Sequence, residues 1–239
     1  METFNPIQDR FVVFLDIMGF KDRVARSTPE NLYAELTDFN RDITTILNSS
    51  KKVNTQDLSE QSGESSSTML SSVENSSKIE LAQFSDSIVL FSRDNSKESL
   101  SEISNVAREI MFSAINREKP IPLKGALAEG NVTCDLSKRL FFGQPLIDAY
   151  LLEENVQYYG IVVHHTAERS VKNLDEGIFS DTSVPLKSGR IRHYELVWYS
   201  KDYKSAEYGL EKIRLSVSDS PRKYVDNTNT VIAEYKSKS

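Results

Sequence analysis

The chain is short of the residues that build covalent or metal scaffolds: 239 residues hold one cysteine, three histidines and one tryptophan. A single thiol, Cys134, excludes an internal disulfide and any cysteine-rich zinc cluster. No apolar run approaches the ~20 residues that a membrane helix needs. The most apolar stretch, FVVFLDIMGF at 11–20, is interrupted by Asp16, and no small-residue cleavage site follows it, which argues against a secretory signal. A Walker-type glycine run and a Ser-His-Asp order are also missing. So is a basic excess: 29 Lys and Arg against 35 Asp and Glu leave a formal charge of −6, opposite to the usual footprint of a nucleic-acid binder. These absences lead us to expect a soluble, cytoplasmic protein that acts on a small ligand, with neither a membrane nor a nucleic acid as partner.

What is there is strong hydrophobic periodicity. Residues 11–20 read as a central strand that ends in a tight approach at Gly19. After a helix start at Ser27, Thr28 and Pro29, the side chains Leu32, Leu36, Phe39, Ile43 and Leu47 fall on one helical face. Residues 49–78 change character: nine of the nineteen from Ser59 to Ser77 are serine, so a flexible insertion is expected there. The pattern then predicts a hairpin over 79–91, a helix over 99–116, a strand over 123–132 and a helix over 144–155. A strand at 160–164, a short helix near 166–174 and strands at 183–187 and 193–199 follow. The polar residues 200–239 read as an extension ending in an exposed tail. Strands and helices mixed in this way imply an α/β sandwich (α+β), a mostly antiparallel sheet with helices packed on it.

Two acids stand out for their surroundings. Asp16 follows Phe11–Leu15 and precedes Ile17 and Met18, and Asp86 sits between Phe84 and the run Ile88–Phe91. Burying a lone carboxylate costs several kcal/mol unless it is paired or cation-bound. On neighbouring strand ends the two acids can share Mg²⁺ or Mn²⁺, whereas each alone can also serve as a turn cap. Gly19 allows the backbone amides there and at Phe20 to approach phosphate oxygens. Lys124, Arg139, Lys187, Arg190 and Arg192 are the basic candidates, each with a solvated surface role as the alternative. Lys187 and Arg190 share the segment PLKSGRIRHYEL, where a loop can bring positive charge onto a polyphosphate. His164, His165 and His193 make a poor zinc signature.

FVVFLDIMGF followed by QFSDSIVLF resembles the two metal-ligand motifs of the class III adenylate/guanylate cyclase catalytic domain, and PLKGALAEGNV and FFGQPLIDAYLLEE follow in the family's order. The resemblance covers residues 8–199 apart from the serine-rich segment. It implies a ferredoxin-like βαββαβ core in a head-to-tail homodimer with sites at the interface. Two Mn²⁺ or Mg²⁺ ions would be held by Asp16, Asp86 and the Ile17 carbonyl, the terminal phosphates by amides near Gly19 and Phe20, and the triphosphate by Lys187. The ribose 3′-hydroxyl would attack the α-phosphorus and expel pyrophosphate. Ile147 and Leu151 stand where the purine cyclases carry an Asn and an Arg, and Ala82 and Leu140 where they carry the purine-reading pair. With its SDS motif and the helix marked by Gly143, Ala149, Tyr150, Leu152 and Glu153, the chain is similar to the bacterial pyrimidine cyclases of the Pycsar antiphage system. That branch implies a uridylate cyclase making cyclic UMP from UTP for a separate effector; Tyr150 and Arg190 join Gly19, Phe20 and Lys187 as expected substrate contacts. A cytidylate cyclase, an unusual adenylate cyclase and a degenerate nucleotide-binding protein are the alternatives.

Overall fold

A computed structural model describes residues 4–59, 79–174 and 177–238. Among these residues eight strands form one sheet: β1 (Ile7–Ile17), β2 (Ile79–Phe84), β3 (Ser87–Ser92), β4 (Leu123–Asp135), β5 (Leu140–Gly143), β6 (Ile161–Val163), β7 (Phe179–Leu186) and β8 (Gly189–Leu196). Their spatial order is β2-β3-β1-β4-β6-β8-β7, with β5 folded back on β4. Every pairing is antiparallel except β4 with β6, which needs a crossover. The helices are α1 (Phe20–Arg26), α2 (Pro29–Ser59), α3 (Lys97–Asn116), α4 (Gln144–Asn155), α5 (Glu168–Lys172), α6 (Tyr203–Ser216) and α7 (Ser220–Lys236). The α+β class and mostly antiparallel sheet expected from the sequence are therefore the observed architecture.

The two-residue period of β1 sorts its side chains onto two faces. Phe11, Val13, Leu15 and Ile17 join the main core with Phe39 and Ile43 of α2 and the apolar stripe of α3. Phe14 points the other way, onto Ala126, Ala128 and Ala149 beneath α4. Asp16 shares the parity of Phe14 and so lies on the α4 side. Gly125 lets β1 and β4 close tightly just there, since a Cβ on it would sit 2.5 Å from the Phe14 carbonyl oxygen. α3 starts where its sequence says: the Ser96 hydroxyl accepts the Ser99 N–H, and Asp94 accepts from the hydroxyls of both serines.

Several boundaries differ from expectation. β1 stops at Ile17 because Gly19 adopts φ 74° and α1 begins at once. The expected insertion over 49–78 begins within α2, which continues to Ser59; residues 60–78 lie outside the described residues. The clearest correction concerns the expected exposed tail: the described residues 200–238 hold two packed helices. α6 buries Ala206, Leu210 and Ile213, and α7 buries Val225, Thr228, Val231 and Ile232. These stripes are narrow, one apolar residue every three or four positions in an otherwise polar sequence, so an averaged composition hides them.

Candidate functional site

The C-terminal end of β1 and the β2–β3 turn bring the two acids together. Asp16 pairs in register with Ser87 on one side and Lys124 on the other. The Ile17 N–H donates to the Asp86 carbonyl at 2.9 Å, and the Met18 N–H to that of Pro122 at 2.9 Å. Asp86 sits in a turn whose preceding residue, Ser85, has φ 55°. Immediately beyond, Gly19 in its left-handed conformation starts α1, whose first-turn N–H groups have no intrahelical acceptor.

Burial pushes the Asp16 carboxyl up to about 7; Glu153 and Asp86 add to the shift, and Lys124 opposes it. No hydrogen bond from a described residue reaches the Asp16 carboxylate. The half-buried acid therefore lies near like charge with no protein donor bonded to it. Lys124 is committed elsewhere, its ammonium lying 2.9 Å from the Glu153 carboxylate and donating to the Glu153 carbonyl at 3.0 Å. Both side chains are buried, and burial raises the Glu153 pKa against the pull of Lys124.

Tyr150, one turn earlier on α4, packs edge-on against Phe14 at 5.5 Å, and the neighbouring Glu154 raises the pKa of its hydroxyl. Lys187 occupies the β7–β8 turn with its side chain exposed; its N–H donates to the Asn155 carbonyl at 2.8 Å, and its charge is felt by Glu153. Asp16, Ile17, Gly19, Phe20, Asp86, Lys124, Tyr150 and Lys187 thus gather at one end of the sheet. Arg190 is held away from them, donating to the Ser183 carbonyl and the Glu234 carboxylate of α7. Arg192 makes a two-pronged pair with Asp181, at 2.8 and 2.9 Å, on the surface. Arg139 sits at φ 56° in the β4–β5 turn, beside a cleft of about 750 Å³ that Ala82, Phe84, Ile147 and Tyr150 also line.

The three histidines come together at the other end of β6. His164 Nδ1 lies 3.0 Å from the Thr166 hydroxyl and 3.9 Å from Asp148, and His193 lies 3.9 Å from Glu168. Among the described residues no three His, Cys, Asp or Glu side chains converge as a metal cage.

Glu153 is the site residue that sequence reasoning missed in this role. The signal was present: Leu146, Ala149, Tyr150 and Glu153 follow helical spacing, which places an acid on the face that packs on the sheet. Its partner Lys124, named among five basic candidates, turns out to be the buried one of the five.

No protein-family model matches the chain, and no curated protein is similar to it in sequence. Solved structures do match in fold. The catalytic core of a rhodopsin-guanylyl cyclase with converted specificity, in complex with ATPalphaS, superposes with a TM-score of 0.54 at 15% identity, covering 79% of this chain and 95% of that one. The guanylate cyclase domain of RhGC from Catenaria anguillulae, in complex with GTP, gives 0.53 at 14% identity over 79% and 96%. An adenylate/guanylate cyclase/hydrolase from Silicibacter pomeroyi gives 0.50 at 13% identity over 80% and 97%. At these identities the likeness establishes the fold, that of a class III cyclase catalytic domain.

Proposed function

We propose that the chain is a divalent-metal-dependent nucleotidyl cyclase that converts UTP to 3′,5′-cyclic UMP and pyrophosphate. The observation that carries this reading is the pair Asp16, at the end of β1, and Asp86, in the β2–β3 turn, held side by side by the Ile17 N–H to Asp86 carbonyl bond, with no protein donor on the Asp16 carboxylate. The donor set suits Mg²⁺ or Mn²⁺, which usually take one or two carboxylates and complete their shell with water and substrate phosphates. Asp16, Asp86 and the Ile17 carbonyl would hold two ions. When bound, they stabilise negative charge on the ribose 3′-oxygen and on the departing pyrophosphate.

The chain's own residues account for the rest. Amides at Gly19 and Phe20 receive terminal phosphate oxygens, and Lys187 brings an ammonium to the triphosphate from the β7–β8 turn. The Lys124–Glu153 pair fixes the end of α4 against β4 beside Asp16. The 3′-oxygen forms its bond to the α-phosphorus as the bond to the β-phosphate oxygen breaks, and the hydroxyl proton leaves to solvent. Arg190, tied to Glu234, is not assigned to the substrate.

Ala82 and Leu140, which offer no hydrogen bond, stand at the positions of the purine-reading pair; this supports a pyrimidine base. Phe84 is 84% exposed and Ile147 is half exposed beside the same cleft. An apolar surface of this kind supports a homodimer that covers it. The product would act through a separate cyclic-nucleotide-responsive effector in antiphage defence, as the pyrimidine-cyclase resemblance suggests.

An equimolar mixture of ATP, GTP, CTP and UTP with Mn²⁺, resolved by mass, tests the proposal. Cyclic UMP as the main product is expected. Cyclic CMP or a cyclic purine nucleotide would overturn the base assignment. The aliphatic Ile147 and Leu151 favour a second reading, nucleotide binding without chemistry, and tight UTP binding with no pyrophosphate release would establish it in place of the first.

A further inference from the structure

α7 is remote from Asp16 in sequence, yet hydrogen bonds lead from it to the candidate site without a break. Its Thr228 hydroxyl accepts the Tyr159 N–H at 2.9 Å, and Asn227 Nδ2 donates to the Gln157 carbonyl at 2.7 Å. Tyr224 stacks on Tyr159 at 5.9 Å and accepts from the Gln157 amide at 3.0 Å. The segment 155–159 held in this way in turn clasps the β7–β8 hairpin. The Gln157 N–H donates to the Pro185 carbonyl at 3.0 Å, Val156 bridges Leu186, and the Lys187 N–H donates to the Asn155 carbonyl at 2.8 Å. Two residues before Asn155, Glu153 pairs with Lys124 beside Asp16.

We propose that α7 is a positioning element for the triphosphate end of the site, and that Asn227 and Thr228 are positioning residues acting on Lys187 through residues 155–159. The proposal rests on the cyclase reading above for its functional meaning. Lys187 is exposed on a four-carbon stem, so the phosphate oxygen it reaches depends on where its backbone is anchored, and its only backbone donor is committed to the clasped segment. A displacement of about 1 Å in such an anchor is enough to cost up to ~10²-fold in rate or binding. The Arg190–Glu234 pair, half exposed at both ends, contributes little by comparison. Thr228 is fully buried, and its hydroxyl serves both the Tyr159 N–H and the Tyr224 carbonyl.

Three full-length variants test this: Asn227→Ala, Thr228→Val and Thr228→Ser. Steady-state kinetics with UTP and Mn²⁺ should show KM raised about tenfold in the first two with kcat within about twofold, because a ground-state phosphate contact is misplaced. Thr228→Ser, which keeps the hydroxyl, should restore the wild-type KM. Amide hydrogen exchange without nucleotide should show Lys187 and Gln157 exchanging roughly fivefold faster or more in Asn227→Ala and Thr228→Val, again with rescue by serine. A lowered Tm with KM and exchange unmoved would overturn the proposal, leaving α7 as core alone. If the wild-type chain turns over no triphosphate, the cyclase reading fails, and the exchange measurement still decides the coupling: a rise supports it and no change overturns it.

Discussion

Asp16 and Glu195 are acids of one sheet, both pushed up to about 7, and their surroundings differ in kind. Glu195 is fully buried, and its two oxygens accept hydroxyls from Tyr158 at 2.9 Å and Tyr199 at 2.8 Å. Burial raises its pKa, and the two donors work against the rise. Asp16 is half-buried; burial raises it as well, but Glu153 and Asp86 push in the same direction and only Lys124 resists. An acid that serves the core is supplied with donors. An acid left without a protein donor at an accessible strand end is the one proposed above to hold a cation. The shift alone does not separate a structural acid from a functional one; its causes do.

The sharpest way to break this comparison is to remove each acid and follow turnover. Asp16→Ala should lower cyclic-nucleotide formation by at least about 10³-fold, the scale of losing a metal ligand whose ion stabilises transition-state charge. Glu195→Gln should leave kcat/KM per folded molecule within about twofold. Comparable losses in both, measured with folded fractions matched by near-ultraviolet circular dichroism, would make the two acids equivalent.

Stability should move the other way. Glu195→Ala leaves two buried tyrosyl hydroxyls without their acceptor and should cost about 3 kcal/mol in metal-free urea unfolding. Asp16→Asn removes a crowded charge, so its metal-free midpoint should lie at or above that of the wild type. A midpoint for Asp16→Asn well below wild type would show that the Asp16 carboxylate supports the fold.

Much of this was legible in the sequence, and the parts that were not share a cause. Asp16 stood out because it interrupts a continuous apolar run and Asp86 because it lies between Phe84 and the run Ile88–Phe91, both local signals, and α4 was bounded correctly at Gln144–Asn155 by Gly143, Pro145 and the amphipathic spacing. Glu153 was less visible because its importance depends on Lys124, which is 29 residues away and meets it only when α4 packs on β4. The pair that Arg190 makes with Glu234 was invisible for the converse reason: Glu234 belongs to a helix that the polar composition of this region concealed. β5 was lost in the same way, since four residues between a turn and a helix give too short a period to register. Local polarity identified acids that need a partner. Which partner each received was decided by topology.

The smallest expected effect, the pH dependence of the metal-free fold, separates the two acids most finely. A carboxyl whose folded pKa lies above its unfolded value binds its proton more tightly in the native state. Its contribution is therefore fully present below the unfolded value, about 4, and is lost as pH rises to about 7. Asp16 and Glu195 both act in this window, so urea midpoints of the metal-free wild type should fall from pH 5 to pH 8. Asp16→Asn and Glu195→Gln should each remove part of that slope. Saturating Mn²⁺ competes with the proton at Asp16 and not at Glu195, so it should cancel the Asp16 part in wild type and in Glu195→Gln. In Asp16→Asn the remaining slope belongs to Glu195, held by two tyrosines and closed to solvent, and to Glu153, paired with Lys124, and the ion should leave it unchanged. A slope that Mn²⁺ flattens equally in both variants would mean that the cation acts elsewhere on the fold, and the distinction between the donor-satisfied acid and the crowded one would fall.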